Sequence, residues 1–323
     1  MQSRKRVLVL GASGTIGKAV STALCCKGHD VVCLIRETSK VDELHENVTT
    51  RICDIADTHS IRNAGLRGER FDALISCMAS RHGGLEDAWA VDYQANVNAF
   101  EVARSEGVKH AVLLSAICVQ KPRLHFQHAK LAAEKVLISS GMDYSIVRPT
   151  AYFKSLSGQI NRLRKGKAYL VFGNGKRTAT KPISDRDLGQ FMAMCIEDPE
   201  YKNRILPIGG PGPAITPEQQ GEHLFQLLDK TPRFKQVPPG LLNTIGKVLG
   251  MASRILPSLA NKAEFARIGH YYATESMLVW NESANCYDEQ NTPCFGEDTL
   301  FDYYEKVVRD EASVERGEHS VFS

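Results

Sequence analysis

Apolar runs of strand length alternate with helix-length amphipathic stretches through the first half of the chain. RVLVL (6–10), VVCLI (31–35), TTRIC (49–53), DALIS (72–76), AVLLS (111–115) and YSIVR (144–148) are nearly continuous in apolar character, as parallel strands buried on both faces are. Helical segments fill the gaps. The longest spans about 85–107 and closes on Gly107, a glycine just past a helix C-terminus. This alternation predicts an α/β fold built on a doubly wound parallel sheet.

Beyond about residue 150 the pattern changes. YLVFGNGKRTATKPIS (169–184) reads as a strand, a tight turn at Asn174 and Gly175, and a return strand. Ser184 and Asp187 then stand at capping-box spacing ahead of an apolar stripe, and Thr216 with Pro217 marks another helix start. Two units are expected: a dinucleotide-binding domain over 1–150 and a smaller substrate-covering region over 151–323 packed on the sheet. In LLNTIGKVLGMASRILPSL (241–259) the apolar residues share one helical stripe, with Lys247 and Arg254 off it. That stripe reads foremost as an ordinary core-facing face, with a lid over a flat apolar substrate or a membrane-surface contact as sharper alternatives.

Composition narrows the classes. The chain of 323 residues is 43% hydrophobic and carries a formal net charge of +3, too little for a nucleic-acid partner. Nine cysteines are scattered without a C-x-x-C pair; they read as small buried hydrophobes in a reducing compartment rather than metal ligands, so no metal is expected. The N-terminus runs straight into a strand and no 18-residue apolar run occurs, so a cytoplasmic protein without a membrane span is expected.

LVLGASGTIGKAV sets Gly11, Gly14 and Gly17 between the first strand and the first helix. Such a turn is tight, its backbone admits a pyrophosphate, and the helix N-terminus offers free N–H groups to the anion. Ser13, Thr15 and Ile16 share that loop and join the expected cofactor contacts. The second strand runs out at Arg36. An acidic residue there suits the ribose 2′-hydroxyl of NAD, whereas a guanidinium suits the 2′-phosphate of NADP; NADPH is expected, with Glu37 next door as the counter-argument. Asp54, after the third strand, is placed either to meet the adenine edge or to cap the next turn.

The glycine loop, together with LHFQHAK (124–130), in which Phe126 and Lys130 stand at the spacing of a Tyr-x-x-x-Lys pair, resembles the atypical short-chain dehydrogenases, the group of isoflavone-reductase-like and NmrA-like proteins. Further blocks, among them LLSAICVQKPRLHFQHAKLAAEKVL, SIVRPTAYFKSLSGQI, KPISDRDLGQFMAMCIED, IGHYYATESMLVW and DTLFDYYEKVV, resemble the NADPH-dependent divinyl chlorophyllide 8-vinyl reductases of chlorophyll and bacteriochlorophyll synthesis over nearly the whole chain. The resemblance implies a Rossmann fold and reduction of the 8-vinyl group of divinyl chlorophyllide or protochlorophyllide to ethyl. An unrelated class of 8-vinyl reductase uses ferredoxin, flavin and iron–sulfur clusters; the lack of cysteine clustering argues against it. An isoflavone-reductase-like enzyme acting on another conjugated double bond and a non-catalytic NADP(H) sensor are the alternatives.

The missing phenol fits a vinyl substrate. In carbonyl reductases the tyrosine protonates an oxygen, and a vinyl group has none. Phe126 is then expected to wall an aromatic pocket, and Lys130 to serve the nicotinamide ribose and catalysis. His125, His128, Tyr152, Lys154 and solvent remain rival proton sources. Ser115, at the end of the fifth strand, is a cofactor- or substrate-side hydroxyl or a sheet-end one. A wide cleft is expected between the sheet's carboxyl edge and the segment from Tyr152 through Phe153 and Lys154 to Gln159. Lys154, Arg162 and Lys181 are the candidate cations for a pigment carboxylate. Peripheral contact with a photosynthetic membrane is compatible with such a substrate.

Overall fold

The computed structural model describes residues 3–39, 43–81 and 83–309. In chain order, the first part consists of β1 (Arg6–Leu10), α1 (Thr15–Cys26), β2 (Asp30–Ile35), β3 (Thr49–Ile52), β4 (Ala73–Ser76), α2 (Asn96–Ser105), β5 (His110–Leu114), α3 (His125–Ser139) and β6 (Asp143–Pro149). The second consists of β7 (Tyr169–Phe172), α4 (Asp185–Cys195), β8 (Arg204–Ile208), α5 (Pro217–Leu227), β9 (Phe234–Val237), α6 (Pro239–Ala252), α7 (Ala260–Thr274), β10 (Val279–Asn281), β11 (Cys286–Asp288) and α8 (Leu300–Val308).

Alternation along β1 explains the layers. Val7 and Val9 face one way, into a cluster with Val20 and Leu24 of α1 and Leu188 and Met192 of α4. Leu8 and Leu10 face the other, against Phe100 and Ala103 of α2 and Leu137 of α3. Both faces are covered, which is why these strands read as continuous apolar runs rather than alternating ones. The sheet is parallel, ordered β3-β2-β1-β4-β5-β6-β8, with Leu8 level with Val32 on one side and Leu74 on the other. The order reverses direction beside β1, the place where ligands bind outside the carboxyl ends of such strands.

Three expectations need correction. The sheet does not end at residue 150: β8 pairs with β6, Val147 level with Leu206, and α4 covers the same face as α1, so the nucleotide-binding layer draws on chain well past that boundary. Residues 310–323 of the expected second region lie outside the described residues. The hairpin at 169–184 is absent, because β7 pairs in parallel with β9, Tyr169 level with Phe234. Gly173 and Gly175, not Asn174, take the positive φ values of 59° and 77°; they turn the chain out of the sheet instead of back along it. Finally, the apolar stripe at 241–259 is not core-facing. Of α6 only Gly246 is buried, while Met251 is 69% and Ile255 85% exposed.

The helix starts read from sequence are present. Ser184 Oγ accepts from Asp187 N–H, and Thr216 caps α5 with Gln219 answering it. The expected helix over 85–107 is continuous but uneven: a π-helical stretch, Ala88–Ala95, precedes α2. Asn96 explains it, since its side-chain amide donates to Val91 O and Asp92 O and so occupies carbonyls the regular ladder would use. Gly107, at φ 85°, ends the helix as expected.

Candidate active site

The glycine loop is built around close approach. Gly11 takes φ 73°, and a Cβ there would stand 2.7 Å from the Cys77 carbonyl carbon; one at Gly17 would stand 2.1 Å from Gly11 O. No other residue fits either place, so the turn presses against the end of β4 and the first turn of α1 folds onto the loop. Gly14 is the N-cap of α1, with no side chain capping it. The N–H groups of this first turn have no intrahelical partner and lie open to an anion. Lys154 donates from Nζ to Thr15 Oγ1 at 3.3 Å, which adds a cation beside the loop. Ser13 and Thr15 are half-buried and Ile16 is buried. A loop this tight, an uncapped helix end and a neighbouring ammonium together fit a dinucleotide pyrophosphate.

Lys130 is nearly buried on α3, and its Nζ meets Asp92 Oδ1 at 2.9 Å. Asp92 lies in the π-helical stretch, is 1% exposed, and receives the Ser80 N–H at 3.3 Å on the same oxygen. Its Oδ2 is buried with no hydrogen-bond partner, a costly condition that a donor arriving in the site relieves. Sequence reasoning missed Asp92. It is remote in the chain from Lys130, and no local signal distinguishes it from the other acids of its helix. π-turns of this kind gather at functional sites.

The remaining expected residues divide. Arg36 is exposed just past β2, and its backbone N–H donates to Ser39 Oγ at 3.2 Å. Asp54 is exposed after β3, accepting from Ala56 N–H at 3.0 Å, so part of its carboxylate serves a turn. Tyr152 is half-buried where the chain leaves β6, bridged to Ile183. Burial pushes its phenol well up, with Cys77 and Cys118 adding to the shift. Phe126 is half-buried among Ile117, Cys118, Leu124 and Ile268, so it joins α3 to α7.

Other residues are engaged elsewhere. Ser115 Oγ donates to Glu134 Oε1 at 2.5 Å, and Glu134 pairs with Arg148; this buried network makes Ser115 a sheet-end hydroxyl. Phe153 is 5% exposed and packs at a tilt against Tyr303, ring centroids 5.5 Å apart, so it belongs to the core of the second region, not to a substrate surface. Arg162 donates to Ala168 O, and Lys181, itself buried, donates to Thr292 O and the Cys294 thiol. Lys154 lies at the phosphate loop. None of the cations expected to seek a pigment carboxylate is held out for one. Among the described residues no cluster of metal-ligating side chains occurs, and burial raises the Cys33 thiol to about 12, which keeps it protonated and inert.

A doubly wound parallel sheet with an uncapped helix N-terminus behind a glycine loop defines a Rossmann-type NAD(P)H-binding protein, and the family model described as NAD(P)H-binding matches residues 11–199. Over 94% of its length the chain is 43% identical to "Divinyl chlorophyllide a 8-vinyl-reductase, chloroplastic" of Arabidopsis thaliana, of which it covers 77%. It is also 43% identical, over 99% of its length, to the protein of that name from Oryza sativa subsp. indica, covering 83% of it. The chain belongs to the divinyl chlorophyllide a 8-vinyl-reductase family, and is an oxidoreductase of the NAD(P)H-binding class. Among solved structures, the NADPH-dependent quinone oxidoreductase QOR2 of Escherichia coli, complexed with NADPH, superposes with a TM-score of 0.68 at 18% identity over 93% of this chain and 99% of that one, a likeness of fold.

Proposed function

We propose that the protein reduces the 8-vinyl group of divinyl chlorophyllide or protochlorophyllide to ethyl with hydride from NADPH. The observation that carries this reading is a reductase site that keeps Lys130, buried against Asp92, while Phe126 packs where the oxygen-protonating phenol of carbonyl reductases stands. The relatives named as vinyl reductases support it. NADPH held at the glycine loop supplies the hydride. Lys130, aimed by Asp92 Oδ1, donates to the nicotinamide ribose hydroxyls, and one such hydroxyl satisfies Asp92 Oδ2. Arg36 meets the 2′-phosphate by charge-assisted hydrogen bonds, while Lys154 and the first turn of α1 hold the pyrophosphate. Tyr152, at the carboxyl edge of the sheet, contacts the pigment, and the chain from 151 on, apart from α4 and β8, covers it. Incubation of the purified protein with NADPH and a divinyl chlorophyllide, followed by pigment chromatography, tests this: an ethyl product supports the reading, and unchanged pigment refutes it.

The outward apolar stripe of α6 favours a second element of the reading, that the protein works at the surface of the pigment-bearing membrane. Leu241, Ile245, Val248 and Met251 are exposed along one face, and Lys247, Arg254 and Lys262 are exposed around it. The single acid between 239 and 274 is Glu264, which is buried. An apolar stripe ringed by cations alone suits an interface of anionic lipid. Among the described residues no helix is long and apolar enough to cross a membrane.

A further inference from the structure

One buried acid of α3 takes no direct part in the chemistry above. Glu134 is 2% exposed and stands four residues after Lys130, so the two side chains share one face of the helix, about 6 Å apart along its axis. Its carboxylate is fully engaged. Oε1 accepts Ser115 Oγ at 2.5 Å and Arg148 Nε at 3.1 Å, and Oε2 accepts Arg148 Nη2. These donors come from the carboxyl ends of neighbouring strands, Ser115 directly after β5 and Arg148 near the close of β6, and the Ser115 N–H donates to Val147 O at 2.7 Å. Two strands and a helix are tied at one point.

α3 joins β5 to β6, which pair in parallel, so it runs back against both strands from the carboxyl edge toward the amino edge. Glu134 therefore marks the level of the strand ends. Lys130, one turn earlier, stands just beyond them, on the side where ligands of such sheets bind, and its Nζ crosses to Asp92 Oδ1 at 2.9 Å. Beside this pair on the inner side of α3 lie Ala129 and Ala133, both fully buried. A helix seated on methyl groups shifts or turns at small cost, whereas a carboxylate gripped by both edges of a guanidinium is fixed in distance and angle. Apolar side chains often stabilise as well as a buried ion pair does, so the particular contribution of this one is direction.

We propose that Glu134 is a positioning residue for Lys130: held by Arg148 and Ser115, it sets the depth and rotation of α3 at which the Lys130 ammonium meets both Asp92 and the cofactor. The proposal rests on the reading that Lys130 donates to the nicotinamide ribose. Glu134 itself touches neither cofactor nor substrate. Loosening its grip lets α3 settle on its alanines and draws the ammonium off the ribose hydroxyls, while the glycine loop and Arg36, on other elements, keep their hold on the rest of NADPH.

The test is a double-mutant cycle on NADPH affinity, read by cofactor fluorescence, with circular dichroism to confirm folding. Lys130→Ala should weaken NADPH about tenfold, the loss of a hydrogen bond from a charged donor. Glu134→Gln, which keeps the size but loses the charge, should weaken it about fivefold while Lys130 is present and by less than about twofold in the Lys130→Ala background, since residues acting through one another do not add. Arg148→Lys, which keeps a cation but not the fork, should behave in the same way and carries the cycle should Glu134→Gln fail to fold. Equal losses in both backgrounds, or affinity unchanged by Glu134→Gln and Arg148→Lys despite a lower melting temperature, would reduce Glu134 to a structural ion pair and overturn the proposal. NADPH binding unchanged in Lys130→Ala alone would instead refute the ribose contact beneath it.

Discussion

Single residues decide the chemistry here, and they differ in how far the sequence betrays them. Gly11, Gly14 and Gly17 were legible because steric demands act locally: a turn pressed to 2.7 Å from the Cys77 carbonyl admits only glycine. Lys130 was legible from its spacing to Phe126. Asp92, Glu134 and Arg148 were not, since each acquires its partner only when remote segments fold together. Ser115 stayed open between a site hydroxyl and a sheet-end one, and Phe153 was misjudged, for the same reason: position along the chain does not reveal that a carboxylate or tyrosine has claimed the side chain. Two predictions belong at this scale. Arg36→Ala should weaken NADPH by about 1.5–3 kcal/mol, the worth of a charge-assisted contact, and leave NADH nearly unchanged in parallel titrations; equal loss for both cofactors removes Arg36 from the site. Phe126→Tyr should give no rate gain on the vinyl pigment, because a phenol there meets Ile117, Leu124 and Ile268 rather than a reacting oxygen; a large gain contradicts the chemistry.

At the level of elements, buried parallel strands announced themselves and pairings did not. Every strand read in the first half is present; burial on both faces enforces a continuous apolar run in the interior strands, while β3, at the sheet edge, is largely exposed. β7 was correctly placed at Tyr169–Phe172, but its partner lies at Phe234–Val237, a non-local pairing no turn motif encodes. α6 shows the opposite ambiguity: an amphipathic stripe reads identically whether it faces a core or a lipid surface, and only the fold shows it facing out. If that stripe meets anionic lipid, wild type should co-sediment with phosphatidylglycerol-containing vesicles, and less so as salt is raised. Val248→Glu with Met251→Glu should abolish binding at little cost to folding, since both side chains are exposed. Wild type remaining in the supernatant contradicts the assignment.

For the whole molecule, stability depends on pH in a way one histidine makes visible. Burial lowers His110 to about 4 from 6.5, its ring facing Ser145 Oγ at 3.0 Å. The folded state therefore binds fewer protons than the unfolded chain between those values, so the histidine's contribution is whole above about pH 6.5 and drains away toward pH 4. The loss is on the order of 3 kcal/mol. Urea midpoints at pH 7 and 4.5 should fall less for His110→Gln than for wild type; equal falls would contradict the assignment. The central claim is a reduction of one substituent on a conjugated macrocycle. A vinyl group extends that conjugation and an ethyl group does not. Recording pigment absorption and NADPH oxidation together, with divinyl chlorophyllide and divinyl protochlorophyllide in turn, tests it most directly. The account predicts a Soret band moving to shorter wavelength with about one NADPH consumed per pigment, the stoichiometry of a single hydride transfer; neither pigment shifting with folded, NADPH-binding protein would contradict it.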